Sequence, residues 1–353
     1  MSDARLADLT TLRVGGPAST LLTATTTDEL VEHAHTAWQD DDWLVVGGGS
    51  NLLVADPGFD GTVVLVRTRG VDAVLADDPD ADADADGVTV RVAAGEPWDA
   101  FVAQTVANGW TGLEALSGIP GTVGAAPVQN IGAYGVELSD VLTRIEFLDA
   151  STGERTWVPA AELALGYRSS TLKHGRRGVV LTVEFRLGSA SADGVPVRYA
   201  QLASSLGVDL GTRVAPATVR DEVLRLRASK GMVLDGDDHD TWSAGSFFTN
   251  PIVSASFAET LPTDAPRWPT GDDHVKLSAA WLIEHAGVHR GYAVPGSRAA
   301  ISSKHTLALT NRGGATAAEV AELARYVQVT VLNRFGVTLV PEPVVVGDLL
   351  AAG

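Results

Sequence analysis

Residues Gly112–Gly135, GLEALSGIPGTVGAAPVQNIGAYG, restrict the possible folds more than any other stretch of the chain. The stretch holds six glycines, two prolines and a single charge, Glu114, and the 22 residues from 115 to 136 carry no charge. Interruption by glycine and proline argues against a lone membrane-spanning helix. Two interpretations stay open: a buried, turn-rich connector, or a backbone cradle for a large flat or phosphorylated cofactor, because glycine lets the backbone approach a ligand closely.

The composition limits the possible partners. A chain of 353 residues has room for about two or three domains. The 26 Lys and Arg against 44 Asp and Glu give a formal net charge of −18, which argues against a nucleic acid or an anionic membrane as partner. The absence of cysteine excludes disulfides and thiol chemistry, and the histidines show no metal-ligand spacing, so no metal is expected. The N-terminal MSDARLADLT lacks a signal-peptide core, so we expect a cytoplasmic protein without membrane insertion.

Hydrophobic periodicity and capping residues predict both helices and strands. The predicted helices cover 28–38, 96–108, 216–230, 277–285 and 316–335. The predicted strands cover 43–46, 62–66, 144–148, 156–158, 179–187 and a terminal β segment at 337–346 that Pro341-Glu342-Pro343 interrupts. Because a helix-richer region follows the strands, this order favours α+β domains over one doubly wound sheet. Asp82, Asp84, Asp86 and Gly87 mimic the first half of a calcium loop, but its twelfth position falls on Ala93, so we interpret Asp77–Asp86 as a solvated hairpin loop.

A glycine turn and an arginine are candidates for binding anions. Gly47-Gly48-Gly49-Ser50-Asn51 follows a predicted strand, so its consecutive N–H groups could form a phosphate nest, or the segment is a simple strand-end turn. It is not a Rossmann fingerprint, because the third glycine position is Leu52. Arg168 could bind a carboxylate through its planar guanidinium, or it is an ordinary surface arginine.

A serine and a glutamate in the second half of the chain are candidates for chemistry. Ser246, in AGSFFTNP, is a hydroxyl between glycine and two aromatic residues, but the second glycine of a GxSxG hydrolase motif is missing. It could donate a proton or cap a turn. Glu342 stands between Pro341 and Pro343, so it is either a rigidly held acid or an exposed charge on an edge strand.

Seven segments, in their order along the chain, resemble the UDP-N-acetylenolpyruvoylglucosamine reductase family. The segments are TLRVGGP at 11–17, VVGGGSNLLV at 45–54, the Gly112–Gly135 stretch, LGYRSS at 165–170, AGSFFTNP at 244–251, KLSAAWLIEHAG at 276–287 and LVPEP at 339–343. Each is short, but together they span nearly the whole chain, and their set and order are specific.

The resemblance implies an α+β fold with a two-part FAD-binding domain of the vanillyl-alcohol-oxidase (PCMH) type and a separate α+β substrate-binding domain. The first FAD-binding subdomain is expected at 1–66, with 337–353 returning to it, the second at 67–205 and the substrate-binding domain at 206–336. FAD is the implied cofactor, and NADPH and UDP-N-acetylglucosamine enolpyruvate are the implied substrates of a monomer that makes UDP-N-acetylmuramate for peptidoglycan. The segment around Tyr199 suggests the type I members, which close a tyrosine-bearing loop over the nucleotide.

The resemblance also implies roles for individual residues. Arg168, Ser246 and Glu342 are the implied catalytic residues, with hydride coming from reduced flavin and a proton from Ser246. The implied FAD-binding residues are Gly47, Gly48, Gly49, Ser50, Asn51, Ser117, Gly118, Ile119, Pro120, Gly121, Gly124 and Ala125. The implied substrate-binding residues are Tyr134, Tyr167, Tyr199, Lys230, Asn250 and His305. The acidic residues that follow Gly231 match no family motif, so the part played by Lys230 is the least defined.

Two other functions remain alternatives. One is a flavin oxidase or dehydrogenase of the same FAD-domain type, although such enzymes often attach flavin through His or Cys, and neither glycine-rich loop contains either residue. The other is a nucleotide-sugar-binding protein without redox activity.

Overall fold

Capping side chains mark the start of four of the described α-helices. In the computed structural model, Thr26 Oγ1 accepts the N–H of Glu29, and the Glu29 carboxylate accepts the N–H of Thr26, both at 3.2 Å. Thr316 and Glu319 form the same capping box at the longest helix. The α-helices among the described residues are α1 (Thr27–Ala37), α2 (Trp98–Ala107), α3 (Ala200–Leu206), α4 (Pro216–Ser229), α5 (Ala255–Ala258), α6 (Ala279–His285) and α7 (Ala317–Phe335), and short 3-10 helices span Leu6–Leu9, Glu114–Leu116, Val123–Gln129, Leu138–Asp140, Ala160–Leu163 and His239–Thr241.

The structure describes residues 4–40, 42–74, 87–189, 194–271 and 273–350. The strands within these ranges are β1 (Ala18–Ala24), β2 (Trp43–Val46), β3 (Leu52–Val54), β4 (Phe59–Val66), β5 (Val71–Val74), β6 (Val88–Ala93), β7 (Trp110–Thr111), β8 (Gly132–Ala133), β9 (Val136–Glu137), β10 (Leu142–Asp149), β11 (Arg155–Pro159), β12 (Gly178–Ser189), β13 (Val195–Pro196), β14 (Arg213–Val214), β15 (Ile252–Ser254), β16 (Arg267–Gly271), β17 (His274–Leu277), β18 (Ala299–Ile301), β19 (Leu309–Asn311) and β20 (Val344–Val346). None of the described helices has both the length and the apolar character needed to cross a membrane.

By its contacts the chain divides into two compact units. Unit 1 comprises the described residues of Ser19–Gly48 and Asp60–Ser229, and unit 2 those of Ser2–Ala18, Gly49–Phe59 and Lys230–Gly353. This division differs from the three predicted domains, whose boundaries stay a prediction. One reason for the difference is that β3 pairs in parallel with β20, which joins Gly49–Phe59 to the C-terminal part.

Unit 1 is built on two sheets. The larger has the order β11-β10-β12-β6-β5, with β7 pairing to β12, and the smaller has the order β1-β4-β2. Long β-branched runs such as Val179–Leu187 suit a central strand, since branched side chains pack well on a pleated surface. Helix α2 covers the larger sheet through fully buried Trp98 and Phe101, which pack against Phe185 of β12. This packing fixes the start of α2, which precedes the glycine-rich stretch.

The chain after Gly188 is richer in helix than the chain before it, as predicted, and unit 2 contains α5, α6 and α7 of that part. Its core joins α6 and α7 to short strands through fully buried residues such as Leu282, Leu323 and Val327. Its sheets are β15-β17-β16 and two-stranded pairs β18-β19 and β20-β3. Phe247 and Phe248, next to Ser246, are buried in this core, so the backbone around Ser246 is held by packing.

Two predicted elements differ from the structure. Of the terminal β segment predicted at 337–346 with an interruption at 341–343, only Val344–Val346 form a strand, so the prediction is wrong for 337–340. Pro341 and Pro343 have no N–H to donate to a ladder, so regular pairing stops there. The helix predicted from 277 begins at Ala279, since Leu277 ends β17 and Ser278 is the N-cap. The predicted hairpin loop at Asp77–Asp86 lies outside the described residues.

Candidate active site

Two glycine turns of unit 1 lie backbone against backbone. A Cβ on Gly48 would lie 2.5 Å from the Gly121 Cα, and one on Gly47 would lie 2.2 Å from the Thr122 Oγ1. Any larger residue would force these turns apart, since real Cβ atoms do not approach so closely. The two predicted cofactor segments therefore meet with no side chain between Gly48 and Gly121, which fits a cradle for a phosphorylated cofactor.

Several predicted cofactor residues already use their hydrogen-bonding groups within unit 1. The buried Ser117 Oγ donates to the Glu114 carbonyl at 2.7 Å. The Gly118 N–H donates to Asp99 Oδ1 at 2.6 Å, and the Gly124 N–H donates to the Ala94 carbonyl at 2.8 Å. We infer that these residues would give the cradle its shape, while donors to a cofactor come from other positions. Cofactor contacts by Ile119, Pro120 and Ala125 stay a prediction.

A cavity of about 140 Å³ opens beside the same glycines. Gly47, Gly124 and Ala125 line one part of it, and apolar side chains such as Val66 and Phe147 line much of the rest. An apolar cavity of about 150 Å³ holds a benzene ring. The cavity therefore suits one ring system of a larger cofactor.

The second half of the predicted phosphate nest belongs to unit 2. A Cβ on Gly49, whose φ is +59°, would lie 1.9 Å from the Leu9 carbonyl oxygen, so only glycine fits. Asn51 donates its Nδ2 to the Glu342 carbonyl at 3.2 Å, and its own carbonyl accepts the Val344 N–H at 2.9 Å. Asn51 thus holds the segment that carries Glu342. The predicted cofactor contacts of Ser50 and Asn51 remain untested.

Tyr167 and Arg168 occupy the centre of a tight turn in unit 1. Gly166 and Ser169 close it with two backbone hydrogen bonds of 3.1 and 3.2 Å. Arg168 has a φ of +53°, a strained value for a residue with a side chain, and its Nη2 donates to the Gly132 carbonyl at 2.8 Å. Backbone strain at an arginine is typical of functional sites, where the surroundings hold an unfavourable conformation.

Asn130 is a residue that the sequence did not reveal as important. It is buried with a φ of +43°, and its Nδ2 donates to Glu137 at 3.0 Å and to the Gly166 carbonyl at 3.2 Å. Its Oδ1 accepts the Ser139 N–H at 2.9 Å. Asn130 therefore ties the glycine-rich stretch to the turn that carries Arg168. The available signal in the sequence was an asparagine in Asn130-Ile131-Gly132, since Asn tolerates the left-handed region better than most residues.

Two of the three predicted substrate-binding tyrosines, all in unit 1, touch each other. The rings of Tyr134 and Tyr199 pack edge to face with centroids 5.7 Å apart. Burial raises the pKa of Tyr134, while the charge of Arg227 opposes that rise. Burial lowers the pKa of Arg227 itself to about 10, so it remains a cation at neutral pH.

Arg227 and Arg220 are further site residues that the sequence analysis missed. Arg227 interacts electrostatically with Tyr134, Asp99 and Arg168. Arg220 forms a two-pronged ion pair with Asp99, with N···O distances of 2.7 and 2.9 Å, and donates to Ser117 Oγ at 2.8 Å. The helix that carries them was predicted at 216–230. The available sequence signal was the i, i+7 spacing of the two arginines, which puts both on one face of that helix.

The segments of unit 2 that carry Ser246 and Glu342 pair through their backbones. Phe248 pairs with Pro341 in an antiparallel bridge, the Glu342 N–H donates to the Phe247 carbonyl at 2.9 Å, and the Thr249 N–H donates to the Val340 carbonyl at 3.1 Å. Glu342 therefore lies opposite Phe247, the residue after Ser246.

Asn250 and His305 have clear contacts within unit 2. Asn250 Oδ1 accepts the Ala279 N–H at 3.0 Å, so part of this predicted substrate residue holds the start of α6, and its amide N–H groups are left for other acceptors. His305 Nδ1 accepts the Leu307 N–H at 3.1 Å. This bond fixes the neutral tautomer with its proton on Nε2, which makes His305 a hydrogen-bond donor.

The surroundings of His305 keep it neutral. Burial lowers the pKa of the imidazole from 6.5 to about 4, the charges of Lys230 and Arg290 act in the same direction, and Glu284 opposes them. Lys230 therefore lies close enough to His305 for its charge to be felt. The neutral ring can donate a hydrogen bond from Nε2, and a glutamine amide could make the same donation.

His305 should make the stability of the protein depend on pH. Between pH 6.5 and 4 the unfolded chain binds a proton at this residue that the folded chain does not. The free energy of unfolding therefore falls as the pH falls through this window. Above pH 6.5 this residue causes no such loss of stability. In the variant His305→Gln, the free energy of unfolding should fall by about 2 kcal/mol less between pH 7 and pH 5 than in the wild type. Urea unfolding at both pH values measures it. His289→Gln, at an exposed histidine, is the control, and an equal change in both variants would contradict the assignment.

The structure thus gathers the predicted site residues in two groups. Unit 1 holds Gly47, Gly48, the residues from Ser117 to Ala125, Tyr134, Tyr167, Arg168 and Tyr199, and unit 2 holds Gly49, Ser50, Asn51, Lys230, Ser246, Asn250, His305 and Glu342. Within the described residues no group of three or more His, Asp or Glu side chains could hold a metal ion.

Comparisons with known proteins match the whole chain. Residues 237–346 match the family model for the UDP-N-acetylenolpyruvoylglucosamine reductase C-terminal domain, and residues 18–158 match that for an FAD binding domain. The UDP-N-acetylenolpyruvoylglucosamine reductase of Leifsonia xyli is 52% identical over 97% of this chain and 98% of its own length. That of Mycolicibacterium smegmatis is 48% identical over 98% of this chain and 95% of its own.

A solved structure shows the same fold. The UDP-N-acetylenolpyruvylglucosamine reductase of Thermus caldophilus is 28% identical, covers 98% of both chains and superposes with a TM-score of 0.64. The predicted α+β fold class, the oxidoreductase class and the FAD cofactor are thereby confirmed. With matches of about half identity along its full length, the chain belongs to the UDP-N-acetylenolpyruvoylglucosamine reductase family.

Proposed function

We propose that the chain reduces UDP-N-acetylglucosamine enolpyruvate to UDP-N-acetylmuramate, with NADPH as the electron source, in peptidoglycan synthesis. The main support from geometry is the backbone pairing of 247–249 with 340–342, which sets a hydroxyl and a carboxylate on adjacent segments of unit 2. The proposed chemistry needs a proton donor with an acidic neighbour, and this pairing brings together the segments that carry Ser246 and Glu342. The full-length similarity to reductases of this name adds to that support.

The cofactor residues fit a flavin nucleotide. The side-chain-free contact between Gly48 and Gly121 suits the approach of a phosphate to backbone, and the nearby cavity suits one of its rings. FAD, when bound, would supply the acceptance of hydride from NADPH and its delivery to the substrate. The protein then has to orient the substrate, stabilise the charge that develops on it and provide one proton.

Arg168 suits the carboxylate of the enolpyruvyl group. When hydride reaches the terminal carbon of the enol ether, negative charge develops on the adjacent carbon and its carboxylate, as in an enolate. Preorganised cations at such a charge are usually the largest catalytic factor. The tight turn and the bond to the Gly132 carbonyl restrain the guanidinium before substrate arrives, so little reorganisation is needed.

Ser246 supplies the proton that completes the reduction. In this proposal its hydroxyl protonates the carbon that bears the carboxylate, as a general acid. A serine hydroxyl is a weak acid in water, so it needs a neighbouring group to make the transfer possible. Glu342 is the candidate for that group, as a proton-bearing or orienting partner held between two prolines.

Within unit 1, Tyr134 and Tyr199 offer aromatic faces and hydroxyls for binding a nucleotide. Within unit 2, Lys230 and His305 offer a cation and a neutral donor. A tyrosine pair of this kind supports the predicted type I subtype, which stays a prediction together with the monomeric state and the cytoplasmic location. The experiment that tests the function is product analysis. Incubation with NADPH and the enolpyruvyl nucleotide should give a nucleotide heavier by two hydrogens, whereas hydrogen peroxide with unchanged nucleotide would favour an oxidase.

Asp99 should control the affinity for FAD. Its carboxylate holds the Gly118 N–H and Arg220, which in turn holds Ser117, so Asp99→Asn removes the charge that fixes the cofactor turn. We expect the FAD dissociation constant to rise about tenfold or more, the usual size for losing a charge-assisted hydrogen bond. Flavin fluorescence released on dilution measures it. Asp221→Asn, at an exposed position on α4, is the control, and unchanged affinity in a folded Asp99→Asn would refute the role.

A further inference from the structure

The acidic segment Asp235–Asp240 follows Lys230 and matches no motif of the family, yet one of its carboxylates is buried. Asp235 and Asp237 are exposed, whereas Asp240 is only 8% exposed. Burying a carboxylate is unfavourable unless it gains strong partners. The partners of Asp240 therefore indicate what the segment does.

Asp240 binds the turn that follows β18. Its Oδ1 accepts the N–H of Ser303 at 2.9 Å, its Oδ2 accepts the Ser303 hydroxyl, and Arg312 lies 3.6 Å from Oδ1. Burial alone would raise the pKa of Asp240, but the hydrogen bonds from Ser303 and Ser302 and the charge of Arg312 lower it. The carboxylate therefore stays ionised and grips the turn with charge-assisted bonds, which are the stronger kind.

The same turn carries His305. The buried Ser302 Oγ accepts the N–H groups of Lys304 and His305 at 3.0 and 3.3 Å. The Leu307 N–H then donates to His305 Nδ1, and that bond selects the tautomer. The orientation and the tautomer of His305 thus depend on the shape of a turn whose Ser303 is fixed by Asp240.

The turn also reaches the backbone beside Ser246. The Leu307 carbonyl accepts the Phe247 N–H at 2.7 Å, and the Phe247 carbonyl accepts the Glu342 N–H at 2.9 Å. A continuous series of hydrogen bonds and short covalent links therefore runs from Asp240 through Ser303, His305 and Leu307 to Phe247. All of these residues belong to unit 2.

We propose that Asp240 is a positioning residue that fixes the Ser302–Leu307 turn, and through it the donor direction of His305 toward the nucleotide. The inference rests on the proposed function, since it assumes that His305 faces a nucleotide. Asp240 touches neither substrate nor cofactor in this account, and its effect passes through the turn.

The test uses the holoenzyme with ¹⁵N-labelled histidine and the variant Asp240→Asn. We expect the ring signals of His305, assigned through His305→Gln, to move from the single Nε2–H form toward a mixture of tautomers. We also expect UDP, as the probe, to bind about tenfold more weakly. The FAD content and visible spectrum should be unchanged. Asp237→Asn removes the same charge from the same segment at an exposed position, and it should leave both readouts as in the wild type.

Unchanged His305 signals in a folded Asp240→Asn would overturn the proposal, as would an equal shift in Asp237→Asn. If Asp240→Asn does not fold, Ser303→Ala takes its place, because it removes one hydrogen bond from the same carboxylate. We expect the same direction of change with UDP binding about threefold weaker, and an unmoved His305 spectrum would again overturn the proposal. Wild-type protein that binds no UDP would contradict the proposed function instead, and the His305 signals would still decide the role of Asp240.

Discussion

Replacing Ser246 with alanine should nearly abolish product formation while NADPH still bleaches the flavin at a normal rate. The hydroxyl is the proposed proton donor, and removal of a general acid typically slows turnover by roughly 10²-fold or more. The substitution should not disturb the fold, because the backbone here is held by Phe247, through its bonds to Leu307 and Glu342. Stopped-flow absorbance of the flavin measures reduction by NADPH and reoxidation by the enolpyruvyl nucleotide separately.

The control for this variant is Ser256→Ala, which removes an exposed hydroxyl from the same unit. It should show normal rates in both half-reactions. Turnover close to that of the wild type in Ser246→Ala would remove Ser246 from the proposed role. The FAD content of both variants should match that of the wild type.

Replacing Arg168 with alanine should slow the half-reaction with the enolpyruvyl nucleotide far more than the half-reaction with NADPH. Only the half-reaction with the enolpyruvyl nucleotide develops charge beside a carboxylate. Loss of one preorganised group at such a charge slows the reaction by about 10²-fold or more. Arg168→Lys keeps the charge but loses the planar fork, so it should recover only part of the rate. Single-turnover stopped-flow measurements give the loss of rate in each half-reaction, and the two losses can then be compared.

Arg177→Ala is the control for Arg168, since it removes an exposed arginine of the same unit. Both of its half-reactions should run normally. An equal loss in the two half-reactions of Arg168→Ala would contradict the proposed contact with the substrate carboxylate, and would instead indicate a general effect on the cofactor turn through Gly132.

Local sequence rules predicted the elements of this fold where the local signal was strong. Thr316 with Glu319 is a capping box, and Gly336 adopts the left-handed conformation with a φ of +68° just after α7, so both ends of that helix could be read from the chain. The rule failed at 337–340, where a strand was predicted before the interruption at Pro341-Glu342-Pro343. The two prolines there, and the N–H of Glu342 used by Phe247, made an irregular segment instead.

The contacts that build the candidate site depend on tertiary structure, so local patterns could not supply them. Nothing near Ser246 indicates that residue 342 pairs beside it, and nothing near Arg168 points to Asn130. Resemblance to a family supplied the residues, and the structure supplied the reasons for their positions. Asp240 matched no motif, and only its burial and its bonds to Ser303 distinguish it from its acidic neighbours.

The visible absorption spectrum of the purified protein under anaerobic conditions tests the proposed reaction most directly. We predict a yellow protein whose flavin band is bleached by NADPH and restored by stoichiometric UDP-N-acetylglucosamine enolpyruvate, with UDP-N-acetylmuramate as the product. A flavin that NADPH does not bleach, or that recovers its colour only when oxygen is admitted, would contradict the proposed reaction.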